Sequence, residues 1–251
     1  LTIGTGNSAG VEGPIAAIGG AMGSQIGQIF RVSGSRMKVY IAAGCAGGIA
    51  GMFNATIAGI FFASEIVLLG TFEISSFSAL VVASGISTVV TRAYYGATPA
   101  FSIPDYNLVN PFAELPLYCI LAIVVGLIAV LHIRIFYWIR DTFAASSFPS
   151  QLKPLIGAFF VGSCGIIFPQ VMGDGYHFIE TVLNGEGTFA VLFILIFLKI
   201  FATAVTLGSG GAGGVFAPAL FIGAMIGGAF GNLANLLFPT VTANPGAYAT
   251  V

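Results

Sequence analysis

Residues 188–207, TFAVLFILIFLKIFATAVTL, run the length of a bilayer crossing with one ionisable residue, Lys199, and this constrains the chain more than any other feature. A helix needs about 20 mainly apolar residues to span the hydrocarbon core. Residues 115–138 form a second such run, 77–90 with their flanks a third, and 155–171 a fourth. Residues 14–30, 39–53 and 55–70 are apolar but short or interrupted by glycine, and they predict tilted or half-crossing helices. Charged residues make up 7% of the 251, against about 25% in soluble domains, so there is too little charge to clothe a surface facing water. The expected fold class is an all-α polytopic membrane protein.

The connections orient the spans. Residues 96–114 and 172–187 contain no Lys or Arg, whereas the connection after 115–138 carries Arg140 and Lys153, with Arg134 just before it. Basic loops stay in the cytoplasm, so this connection is predicted inside and the other two outside. The net charge of −1 and the absence of a basic run exclude a nucleic-acid partner. Cys45, Cys119 and Cys164 sit in apolar stretches at no metal-ligand spacing and read as small buried packers. His132 and His177 likewise lack a ligand spacing, and no HExxH motif, Ser/His/Asp set or paired carboxylates point to an enzyme or a cofactor. The chain does not begin with Met and shows no signal-peptide pattern. It is read as a fragment, residues 1–251 forming part of a single transmembrane domain.

Comparison of the chain with itself uncovers a repeat. Residues 10–30 match 214–234 in register: Gly10, Val11, Pro14, Ile18, Gly19, Gly23 and Gly27 lie over Gly214, Val215, Pro218, Ile222, Gly223, Gly227 and Gly231. Each copy has a glycine-rich lead, a proline suited to a first helical turn and an apolar helix. The small-xxx-small spacing of the glycines lets helices in lipid approach closely. The opening amides of a helix have no partner within that helix, so two such helix starts can bind an anion without any basic side chain. Transporters build substrate sites from broken helices of this kind. The same leads also fit two glycine-rich turns inside a packed bundle.

Four ionisable residues lie in apolar surroundings, where charge is costly and points to function. Lys199 and His132 also fit structural roles, the lysine by snorkelling to the headgroups near the inner face. Glu65 fits either a helix bridge or a functional carboxylate. Glu12 stands where a bound anion would compete with it for the same amides, occupying the site when ionised and leaving it when protonated.

Three motifs carry a family resemblance. Gly10-Val11-Glu12-Gly13-Pro14 resembles the G(K/R)EGP motif of the CLC chloride channels and chloride/proton antiporters. Gly214-Val215-Phe216-Ala217-Pro218 resembles their GxFxP motif, and Phe53-Asn54-Ala55-Thr56-Ile57-Ala58-Gly59 their FNAPLAG stretch, with Glu65 at the family's distance. The resemblance implies an inverted-repeat bundle of tilted and half-crossing helices forming a homodimer. It makes Glu12 the gate, and the amides of Gly10, Val11, Glu12, Gly13, Val215 and Phe216 the anion ligands. Three positions depart from the pattern: Val11 replaces the basic residue, Thr56 the proline of FNAP, and Ile66 the second glutamate that carries the inner proton in antiporters. The family's serine motif would precede residue 1 and its pore tyrosine would follow residue 251. The expected function is chloride transport, channel-like or weakly coupled, in the plasma membrane of a prokaryote. The alternatives are proton-coupled antiport with Glu65 on the proton pathway, the same fold carrying another anion, and a non-transporting structural subunit.

Overall fold

The structure is a computed structural model that describes residues 2–69, 74–107 and 109–251; the last residue of the 55–70 segment lies outside them. All regular elements among the described residues are helical. The chain divides into two compact units, Glu12–Ser102 and the combination of Leu1–Val11 with Ile103–Val251.

The unit Glu12–Ser102 contains α1 (Glu12–Ile29), α2 (Gly34–Phe53), α3 (Thr56–Phe62), a π-helical turn at Ala63–Val67, and α4 (Ile74–Tyr95). Glycine spacing decides how α1 and α2 meet. A methyl group on Gly19 would collide with the Gly44 carbonyl, one on Gly44 with the Gly19 carbonyl, and one on Gly23 with the Tyr40 carbonyl. The contacts advance along one helix as they recede along the other, so the pair is antiparallel. Water supplies no drive between helices in lipid, so this backbone approach is what joins them. On α2, Gly47 accepts a 2.7 Å hydrogen bond from Ser87 Oγ of α4. Ala42, Cys45, Ala46, Ile60, Ala63 and Leu80 form the small-residue core. Asn54 closes α2 in the left-handed conformation, φ 53°, which asparagine tolerates better than most residues. Its side chain accepts from Arg92 Nε at 2.7 Å and donates to Thr98 O at 2.8 Å.

The second unit contains α5 (Pro111–Ala145), α6 (Lys153–Ile167), a 3₁₀ turn at Pro169–Val171, α7 (Tyr176–Leu183), α8 (Phe189–Gly208), α9 (Phe216–Leu237) and α10 (Pro245–Ala249). Helix α8 lies at its centre, against α5, α6 and α9. The segments Ser76–Tyr95, Pro111–Ala145, Phe189–Gly208 and Phe216–Leu237 are long and apolar enough to cross a membrane, and the protein is a multi-pass membrane protein. At about 1.5 Å per residue, the 35 residues of α5 exceed the ~30 Å hydrocarbon core. That helix must therefore tilt or protrude.

Three expectations are corrected. The run 155–171 is not one span: α6 stops at Ile167 because Phe168 precedes Pro169 and is pushed out of the helical region, to φ −127° and ψ 79°. The acidic connection 172–187 holds a helix, α7. Its Ile179, Val182 and Leu183 share one buried face, and Asp174 Oδ1 accepts from the Tyr176 amide at its start. Of the cysteines, Cys45 is buried and Cys164 half-buried, but Cys119 is exposed on α5. It sits among outward apolar residues such as Ile120 and Ile123.

Candidate functional site: the paired glycine leads

The two copies of the repeat meet at equivalent residues. Gly10 and Gly214 form an isolated antiparallel bridge. The Gly10 N–H donates to Gly214 O at 2.9 Å, and the Gly214 N–H donates to Gly10 O at 2.8 Å. A side chain on Gly213 would collide with Ala9 Cβ, so the bridge closes only with glycine there. Chain connectivity then places the start of a helix two residues beyond each partner. Helix α1 opens at Glu12 and α9 at Phe216, and Pro14 and Pro218 each take the third helical position, where a missing N–H costs no intrahelical bond.

The correspondence reaches further back than the 10–30 match. Gly6 and Gly210 both hold a positive φ, 86° and 102°, which favours glycine. Gly6 N donates to Ile3 O at 2.9 Å and Gly210 N to Leu207 O at 3.1 Å. Asn7 N donates to Thr2 O at 3.2 Å and Gly211 N to Thr206 O at 3.0 Å. Thr5 Oγ1 donates to Thr2 O at 3.0 Å and Ser209 Oγ to Thr206 O at 3.1 Å. These three bonds of one lead thus have counterparts in the other. The sequence carried this signal in the pairs Thr2/Thr206, Gly4/Gly208 and Gly6/Gly210, at the register of the longer match.

The expected site residues fall as follows. Glu12 is buried in the first turn of α1, where the positive end of the helix dipole favours a carboxylate. Val215 and Phe216 are exposed at the start of α9. The Gly10 N–H, expected among the anion ligands, donates to Gly214 O; Val11 and Gly13 flank Glu12. Glu65 is exposed on the π-helical turn, beside exposed Ile66. Among the described residues no three His, Cys, Asp or Glu side chains gather as a metal site.

Two buried charges were misread or missed. Lys199 does not snorkel. It is completely buried, donates to Val171 O at 3.0 Å and Gly173 O at 2.9 Å, and lies 4.8 Å from the centre of the Phe221 ring. Gly173 N in turn donates to Gly6 O, so the lysine holds the turn that braces the first lead. Glu114 is also completely buried, and its Oε1 accepts from the amides of Val109 and Asn110 at 2.8 and 3.2 Å. The signal for it was an acidic residue in the first turn of α5, four residues after the N-cap Asn110, from whose amide it accepts, one position beyond the capping-box spacing. His132 is half-buried, with Nδ1 unpartnered among the described residues.

The family model described as "Voltage gated chloride channel" matches residues 1–251. The chain belongs to the CLC family. The CLC chain is 36% identical over 273 residues to chloride channel protein CLC-f of Arabidopsis thaliana, covering 100% of itself and 34% of that protein. It is 32% identical over 253 residues to the H(+)/Cl(-) exchange transporter ClcA of Vibrio cholerae, covering 98% of itself and 54% of that protein. The fold matches the crystal structure of a slow cyanobacterial Cl−/H+ antiporter with a TM-score of 0.85 and 26% identity, over 98% of this chain and 58% of that one. A CLC-type fluoride/proton antiporter, at 21% identity and a TM-score of 0.78, shares the fold. The chain therefore spans roughly a third to three fifths of the length of these relatives.

Proposed function

We propose that the protein carries chloride across a membrane, bound by backbone amides at the starts of α1 and α9 and gated by Glu12. The observation that carries this reading is the Gly10–Gly214 bridge, because it joins two copies of one turn and sets a helix start two residues beyond each. The amides of Val11, Glu12 and Gly13 and of Val215 and Phe216 are the ligands. The Glu12 carboxylate is a tethered anion that competes for them; Phe216 stands at the matching position of the second copy and makes no such competition. Residues 1–251 form part of one transmembrane domain, the assembly is a homodimer in lipid, and the membrane is the plasma membrane of a prokaryote, in line with the Vibrio cholerae relative.

Transport is channel-like or weakly coupled, because Ile66 replaces the family's inner proton carboxylate. The exchanger and antiporter among the relatives favour a second reading, proton-coupled exchange with Glu65 on the proton pathway. One experiment separates the two: chloride and proton flux of the full-length protein in liposomes, wild type beside Glu12→Gln. Gating by Glu12 predicts that chloride flux loses its pH dependence in the variant. Unchanged flux and pH dependence would remove the gate, and uphill proton movement driven by a chloride gradient would replace the uncoupled reading with the coupled one.

A further inference from the structure

Helix α8 is apolar except for Lys199, Thr203 and Thr206, which share one face by their spacing of four and three residues and are all buried. This face reaches the first glycine lead at two points. Lys199 donates to Gly173 O, and Gly173 N donates to Gly6 O at 3.2 Å. Thr203 touches the lead directly. Its Oγ1 lies 3.1 Å from Ser8 Oγ, one hydroxyl donating to the other, and both residues are fully buried. Gly10 is held in turn by Gly214. Every second residue from Gly6 to Gly10 is thus tied to a neighbour outside the lead.

The two leads are attached to α8 in different ways. The second is its continuation: α8 ends at Gly208, and the amides of Ser209, Gly210 and Gly211 bond back to the carbonyls of Val205, Leu207 and Thr206. The first lead is far away in the chain, with Ser8 and Thr203 separated by 195 positions, so only side chains can give it the same attachment. In the second lead the position matching Ser8 is Ala212, which is exposed and has no hydroxyl. The hydroxyl pair therefore belongs to the lead that continues into Glu12 alone. Stability does not require the pair. Replacing both partners of a buried hydrogen bond by apolar groups of the same shape is nearly neutral, whereas removing one strands the other. What the pair adds is direction, because a hydrogen bond fixes distance and angle and apolar contact does not. Helix α8 then holds both leads in one frame, the second through its backbone and the first through Thr203.

We propose that Thr203 is a positioning residue for the anion site: through Ser8 it sets the register of the first lead against the second, and with it the segment from which α1 starts. The inference rests on the anion-transport reading. A chloride shared by two helix starts needs them at a fixed separation, whereas Glu12 travels with its own helix start. Loosening the first lead therefore weakens chloride binding more than its tethered competitor.

The test is chloride flux of the full-length protein in liposomes over a chloride series, beside hydrogen exchange of the amides of residues 6–10 in detergent. Thr203→Val keeps the side-chain shape and removes the hydroxyl. It should raise half-saturating chloride about fivefold, the equivalent of one neutral hydrogen bond, with maximal flux changed less than about twofold, and should speed exchange in the lead. Thr203→Ser, which restores the hydroxyl, should return both readouts to wild type. The double variant Ser8→Ala with Thr203→Val strands no hydroxyl, so it should melt like wild type yet keep the raised half-saturation. Three results overturn the inference: wild-type half-saturation in Thr203→Val, a Thr203→Ser variant as impaired as Thr203→Val, or recovery of half-saturation in the double variant, which would trace the effect to lost stability. The two proposals fail separately. If wild type carries no chloride, the proposed function falls, and hydrogen exchange still decides whether Thr203 holds the lead. If flux responds to Glu12→Gln but not to Thr203→Val, only the positioning role falls.

Discussion

Lys199 shows how a charge is kept at membrane depth. A lysine has three N–H donors, and this one directs them at two carbonyls and the face of an aromatic ring. The sequence placed it late in an apolar helix, which left both snorkelling and burial open. Burial follows from the non-helical stretch around Gly173, whose carbonyls no helix satisfies and which lies far from Lys199 in the chain. Lys199→Met should therefore leave the Val171 and Gly173 carbonyls unsatisfied, at about 1–3 kcal/mol each, and lower the thermal unfolding temperature of the full-length protein in detergent. Melting unchanged from wild type would mean that the lysine is not holding this turn.

At the scale of elements, the glycine pattern was the most legible part of the chain. The spacing Gly19, Gly23, Gly27 announced a close helix contact, and the partner surface proved to be Gly44 and Tyr40 on α2. Gly44→Ala should drive a methyl group into the Gly19 carbonyl and destabilise the α1–α2 pair by about 1–3 kcal/mol, as overpacking does. A variant that melts like wild type, followed by circular dichroism in detergent, would contradict that packing. The glycines of the leads were equally legible, because a repeat in sequence requires no knowledge of the fold. Less was visible where tertiary context decides. Helix α7 was hidden inside an acidic connection too short to show a clear period. The end of α6 depended on the conformation of Phe168 ahead of Pro169, a local rule outweighed in the reading by a continuous apolar run. The engagement of the Gly10 amide could not be read at all, since it depends on which residues the two leads bring opposite each other.

For the whole molecule, the account joins one backbone motif used twice to one carboxylate used once. Val11 stands where G(K/R)EGP would supply a basic side chain. Backbone amides are the proposed donors to the anion. The measurement that tests this most directly is anomalous bromide scattering from the full-length protein, wild type beside Glu12→Gln. Neutralising the tethered carboxylate is predicted to add or strengthen a bromide peak at the amides of residues 11–13 and 215–216. Bromide absent from those amides in both proteins would contradict it.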